Sequence, residues 1–127
     1  AAVEGVKDSD IQVFGVTALT SLSDADSKSI FQRNVSLQVG AMLDLAQEAG
    51  IHGVVCSPHE LGLVSKINSL LSITPGIRMQ NSQDDQKRVM TPKEAIDLGA
   101  DYLVIGRPIT SSTDIKKSFN EIYESIL

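Results

Sequence analysis

Two stretches of the chain spell out the same local grammar. Glu48-Ala49-Gly50-Ile51-His52-Gly53-Val54-Val55 and Asp97-Leu98-Gly99-Ala100-Asp101-Tyr102-Leu103-Val104 each close a helix at a glycine and enter an apolar run two or three residues later. Ser57-Pro58-His59-Glu60 and Thr91-Pro92-Lys93-Glu94 each open a helix with a capping box and a proline in the first helical position. Helix and strand therefore alternate. Strands separated by helical crossovers run parallel, so the expected class is α/β built from (β/α) repeats.

Four apolar, β-branched runs fit that class: residues 11–16, 53–56, 69–74 and 102–105. None alternates cleanly with polar residues, so each is expected to be a strand buried on both faces. The clearest of four expected helical stretches covers residues 35–49, where Val35, Val39, Met42, Leu43, Leu45 and Ala46 fall on one side at helical spacing. The opening Ala1-Ala2-Val3-Glu4-Gly5 reads as the last turn of a helix closed by Gly5. With 127 residues and 42% hydrophobic content, the chain suffices for one domain with a core and is too short for two.

Charge and cysteine content narrow the partners. A net charge of −5 argues against a duplex DNA or anionic membrane surface, both of which reward a basic field. Any bound anion must be held by a local cluster of positive groups. Cys56 is the single cysteine and has no internal disulfide partner, so a reducing cytoplasm is the default expectation. No apolar run approaches the ~20 residues that span a bilayer, and the first ten residues do not resemble a signal peptide.

In parallel α/β folds ligands bind beyond the C-terminal ends of the strands. The residues to inspect there are 17–21, 57–59, the polar segment 75–91, and Gly106-Arg107-Pro108. That polar segment exceeds the ~12–15 residues usual for a structureless connection, which favours a functional role. Arg78 follows the third strand and Gly106-Arg107 the fourth. Glycine permits close backbone approach and guanidinium forks suit two phosphate oxygens at once, so this pair is a candidate phosphate grip. The bland alternative is a pair of surface arginines bridged to Asp84 or Asp85. His59 reads as a solvated first-turn residue, His52 as structural and Cys56 as a small buried apolar group. No metal-ligand spacing is visible, Asp84-Asp85 reads as a solvated pair, and no dinucleotide fingerprint, P-loop or nucleophile elbow occurs.

Four motifs in order carry a resemblance: Gly53-Val54-Val55-Cys56-Ser57, Thr74-Pro75-Gly76-Ile77-Arg78, the run from Asp85-Gln86-Lys87-Arg88 to Pro92, and the run from Asp101 through Gly106-Arg107-Pro108 to Thr110. Together they resemble the C-terminal half of the orotidine 5'-phosphate decarboxylase family, bacterial type, over essentially all 127 residues. The resemblance implies strands five to eight of a TIM (β/α)8 barrel, with residues 1–127 as the C-terminal half of a single barrel domain. It implies a carboxy-lyase that converts orotidine 5'-monophosphate to UMP and CO2 in de novo pyrimidine biosynthesis, without metal or organic cofactor, as a cytoplasmic homodimer. Its carried-over substrate-binding residues are Thr20 at the pyrimidine, and Arg78, Gln86, Gly106 and Arg107 at the phosphate, with residues 79–88 as a lid. The family's catalytic Asp-x-Lys-x-x-Asp motif has no counterpart in these residues, so no catalytic residue is expected and the 127 residues alone are expected to be inactive. A noncatalytic phosphate-binding half-barrel that pairs with a second copy is the alternative.

Overall fold

A computed structural model describes residues 1–79 and 90–127. Its elements follow in the order α1 (Ala2–Gly5), β1 (Phe14–Val16), α2 (Asp24–Phe31), α3 (Val35–Glu48), β2 (Gly53–Val55), a 3-10 turn (Pro58–Glu60), α4 (Leu61–Val64), β3 (Leu71–Pro75), α5 (Pro92–Asp97), β4 (Tyr102–Val104), α6 (Arg107–Thr110) and α7 (Ile115–Glu124). The strands form one sheet in the order β1-β2-β3-β4, and every neighbouring pair is parallel. The α/β class with (β/α) repeats is therefore observed.

The repeated punctuation acts as its chemistry demands. Gly50 and Gly99 end their helices at φ +66 and +90, a left-handed conformation that side chains disfavour. Both capping boxes close reciprocally: Ser57 and Thr91 accept from backbone N–H groups of their first turns, while Glu60 and Glu94 accept from the Ser57 and Thr91 N–H groups. A third box opens α2, between Ser23 and Asp26. The N-terminal helix is present, but Gly5 is its last residue and the cap falls on Val6 at φ −110, so no left-handed glycine closes it.

Burial corrects one expectation. Alternation along the strands, combined with the register Val16↔Val55 and Ile73↔Tyr102, places Phe14, Val16, Val55, Leu71, Ile73, Pro75, Tyr102 and Val104 on one face of the sheet. Val16, Tyr102 and Val104 on that face are 59%, 50% and 49% exposed. The opposite face carries Val54, Ser72 and Thr74, all fully buried, and packs with Val39, Leu43, Leu61, Val64 and Ala95 of the helices. Among the described residues helices cover one side only, so the strands are not buried on both faces. Full burial of residues such as Val39 and Leu61 contributes roughly 1.5–3 kcal/mol each, and this one-sided layer is the core.

Three smaller differences share a cause. The regular strands are shorter than the apolar runs, and Leu45, assigned to the buried side of α3, is 63% exposed. Apolarity marks the neighbourhood of an element without setting its ends or the width of its buried stripe. The helical content is likewise divided into more, shorter pieces than four stretches.

Polar latches hold the lower rim of the sheet, where the strands begin. The His52 N–H donates to the Val13 carbonyl and the Val13 N–H donates to His52 Nδ1, each at 2.9 Å, which makes His52 the structural residue its position suggested. Asp101 Oδ2 accepts from the Ser72 backbone at 2.8 Å and the Ser72 hydroxyl at 3.0 Å, fixing β4 against β3. Phe14 lies over Gly53, and its ring meets Tyr102 edge-on at 6.4 Å between centroids. Those rings belong to the two outermost strands, some three strand spacings or ~14 Å apart along the sheet. Their contact requires the sheet to curve, with the uncovered face concave.

Among the described residues no helix is long and apolar enough to cross a membrane, and no group of three or more His, Cys, Asp or Glu side chains comes together as a metal site.

Candidate phosphate and nucleotide site

Parallel pairing puts the four C-terminal strand ends along one rim of the sheet. Thr17 and Ala18, following β1, are buried, while Thr20 is exposed three positions further on. Cys56, Ser57 and Glu60 follow β2 as buried groups, with His59 exposed between the last two. The exposure of His59 fits the reading of a solvated first-turn residue.

The two arginines are placed by register. Pro75 of β3 pairs with Val104 of β4, and Arg78 and Arg107 each stand three residues beyond that last pair. They leave adjacent strands on the same rim. Arg78 is 7% exposed, and its backbone N–H donates to the Met90 carbonyl at 3.1 Å. Ile77 forms a parallel bridge with Met90, which brings the two described flanks of the polar segment side by side. Met79 begins the expected lid and is exposed; the remainder of the lid, Gln86, Asp84 and Asp85 lie outside the described residues.

Gly106 caps α6, and its carbonyl accepts from the Ile109 and Thr110 N–H groups at 2.9 and 3.0 Å. A Cβ built on Gly106 would meet nothing within 4 Å, so the backbone there is open to close approach. An anion held between Arg78, Arg107 and this backbone would gain charge-assisted hydrogen bonds, a strong class of contact. Thr20 stands at the other end of the same rim, beyond β1. The structure thus brings Arg78, Gly106 and Arg107 to neighbouring strand ends and sets Thr20 apart from them.

Sequence reasoning treated Glu60 as part of a helix cap and placed Thr17 within the strand-end stretch 17–21, without pairing the two. The Thr17 hydroxyl lies 3.0 Å from the Val55 carbonyl and 3.4 Å from Glu60 Oε2, to either of which it can donate. The signal available was the apolar setting of the Ser57 box between Cys56 and Leu61, which is unusual for a surface cap.

Burial, and after it the negative charge of Glu60, pushes the Cys56 thiol from 9.0 up to about 11, while the nearby Thr74 hydroxyl works the other way. The fold therefore holds this proton more tightly than the unfolded chain does. Stability tied to Cys56 is present below pH 9 and is lost as pH rises toward 11. In urea unfolding from pH 8 to 11 the chain is expected to lose on the order of 2 kcal/mol more than Cys56→Ala does over the same range. Equal losses would show that the thiol is not desolvated in the native state.

Comparison with known proteins resolves the lineage. The family model described as Orotidine 5'-phosphate decarboxylase / HUMPS family matches residues 1–122. The chain belongs to this family. It is 49% identical over 118 residues to the orotidine 5'-phosphate decarboxylase of Coxiella burnetii, a match that covers 90% of this chain and 50% of that protein. It is 44% identical over 128 residues to the enzyme of the same name from Wolbachia pipientis, covering 98% and 57%. Among solved structures, orotidine 5'-phosphate decarboxylase from Lactobacillus acidophilus superposes with a TM-score of 0.73 at 31% identity, covering 91% of this chain and 49% of that one. The chain thus spans about half the length of the curated relatives it matches. Its curved parallel sheet with helices on one side corresponds to half of the family's TIM barrel.

Proposed function

We propose that residues 1–127 are the C-terminal half of a single (β/α)8 barrel domain, contributing its strands five to eight, and form the phosphate- and pyrimidine-binding side of an orotidine 5'-phosphate decarboxylase. The complete enzyme converts orotidine 5'-monophosphate to UMP and CO2 in pyrimidine biosynthesis. The observation that carries this reading is the placement of Arg78 and Arg107 three residues past paired positions of adjacent parallel strands, with open backbone at Gly106 beside them. A phosphate site at the last two strand ends is a recurring arrangement in such barrels. The exposed concave face of the sheet becomes the barrel interior, filled by layers of side chains from both halves. Kinship to enzymes about twice its length favours this reading over a stand-alone binding module that pairs with a second copy.

Within the whole enzyme the two halves divide the labour. This half grips a phosphate remote from the bond that breaks, through Arg78, Gly106, Arg107 and, from the segment outside the described residues, Gln86. Thr20 meets the pyrimidine, and residues 79–88 close over the phosphate. Binding energy from a non-reacting group can order a site and shut a lid, so grip raises turnover as well as capture. The other half brings the Lys and Asp groups to the carboxylate. Homodimer assembly in the cytoplasm completes the reading.

Calorimetric titration with UMP and uridine tests it directly. The chain is expected to bind UMP at least tenfold more tightly than uridine, and the purified 127 residues are expected to release no CO2 from orotidine 5'-monophosphate. Equal affinity for the two ligands removes the phosphate site, and measurable turnover overturns the division between halves.

A further inference from the structure

Among the described residues three capping boxes open helical segments, and one differs in kind. In the Ser23 and Thr91 boxes the acidic side chain is exposed and returns to its own cap: Asp26 Oδ2 accepts from the Ser23 N–H and hydroxyl, and Glu94 Oε2 accepts from the Thr91 N–H and hydroxyl. In the third box Glu60 is 7% exposed. Its Oε2 accepts from the Ser57 N–H at 3.1 Å and approaches the Thr17 hydroxyl, 43 positions away, at 3.4 Å. Burying a carboxylate is costly, and capping alone does not require it, as the other two boxes show. One contact beyond the cap reaches Thr17, whose hydroxyl also lies 3.0 Å from the Val55 carbonyl; Thr17 is the first residue beyond β1, from which the chain runs through buried Ala18 to exposed Thr20. Thr17 is further anchored by its N–H, which donates to the Val55 carbonyl at 3.1 Å.

We infer that Glu60 is a positioning residue for the pyrimidine side of the site: its carboxylate ties the loop after β1 to the cap after β2 and thereby sets where Thr20 stands. This rests on the function proposed above. Glu60 lies after β2, whereas the phosphate grip leaves β3 and β4, so the two ends of a nucleotide should report on different residues.

The test compares UMP with ribose 5-phosphate, which keeps the phosphate and lacks the base, on the complete polypeptide that contains this chain. Glu60→Ala is expected to weaken UMP binding roughly tenfold and to leave ribose 5-phosphate binding within twofold. Glu60→Gln keeps an oxygen acceptor and is expected to restore UMP affinity. Thr17→Val, which removes only the hydroxyl, is expected to reproduce the same split and serves if Glu60→Ala does not fold. Equal weakening of both ligands, or unchanged UMP affinity in Glu60→Ala or Thr17→Val, overturns the positioning role while leaving the phosphate site standing. Absence of UMP binding by the unsubstituted protein takes the proposed function down with it.

Discussion

Arg107→Ala in the complete enzyme is expected to lower kcat/KM for orotidine 5'-monophosphate by roughly ten- to over a hundredfold. That range follows from the ~1.5–3 kcal/mol of a hydrogen bond to a charged group. Turnover of orotidine, which has no phosphate to grip, is expected to change little. The contrast between substrates is the decisive part of the measurement, because general damage to the fold lowers both alike. Equal losses would mean that Arg107 does something other than hold phosphate, and that the rim it shares with Arg78 and Gly106 is not the anion site.

Gly53→Ala is expected to destabilise the chain by about 3 kcal/mol, lowering the melting temperature by on the order of 10 °C. A Cβ at Gly53 would sit 2.5 and 2.8 Å from carbons of the Phe14 ring and against the Leu71 backbone carbonyl. The carbonyl belongs to a paired strand and cannot swing away, and the ring is held against Tyr102 across the concave face. Adding Phe14→Ala to Gly53→Ala is expected to recover part of the loss, since the ring is then gone and the carbonyl clash remains. Urea unfolding of the two single variants and the double variant gives the coupling energy. A Gly53→Ala protein within ~0.5 kcal/mol of the unsubstituted chain would show that Phe14 does not cover Gly53.

Much of the molecule was legible as letters because its signals are local. A proline after Ser57 or Thr91, with Glu three residues beyond the cap, can satisfy a helix start by itself, and Gly50 and Gly99 can adopt left-handed backbone wherever the chain goes. Those marks determined the alternation of helix and strand, hence parallel pairing, hence which strand ends could carry a ligand. Arg78, Gly106 and Arg107 became candidates in that way, and the family followed from the motifs around them.

Tertiary structure alone decided what depends on two distant segments meeting. Apolar runs around residues 11–16 and 102–105 say that water is avoided, yet they do not say which neighbour covers which face; Val16, Tyr102 and Val104 are open here because the helices of this half lie on one side only. Ser72 and Asp101, 29 positions apart, and Thr17 and Glu60, 43 apart, are ordinary polar residues until the sheet brings them within hydrogen-bond reach. Sequence determines the elements through short-range sterics and hydrogen bonding, whereas burial and long-range pairing exist only once the strands are side by side.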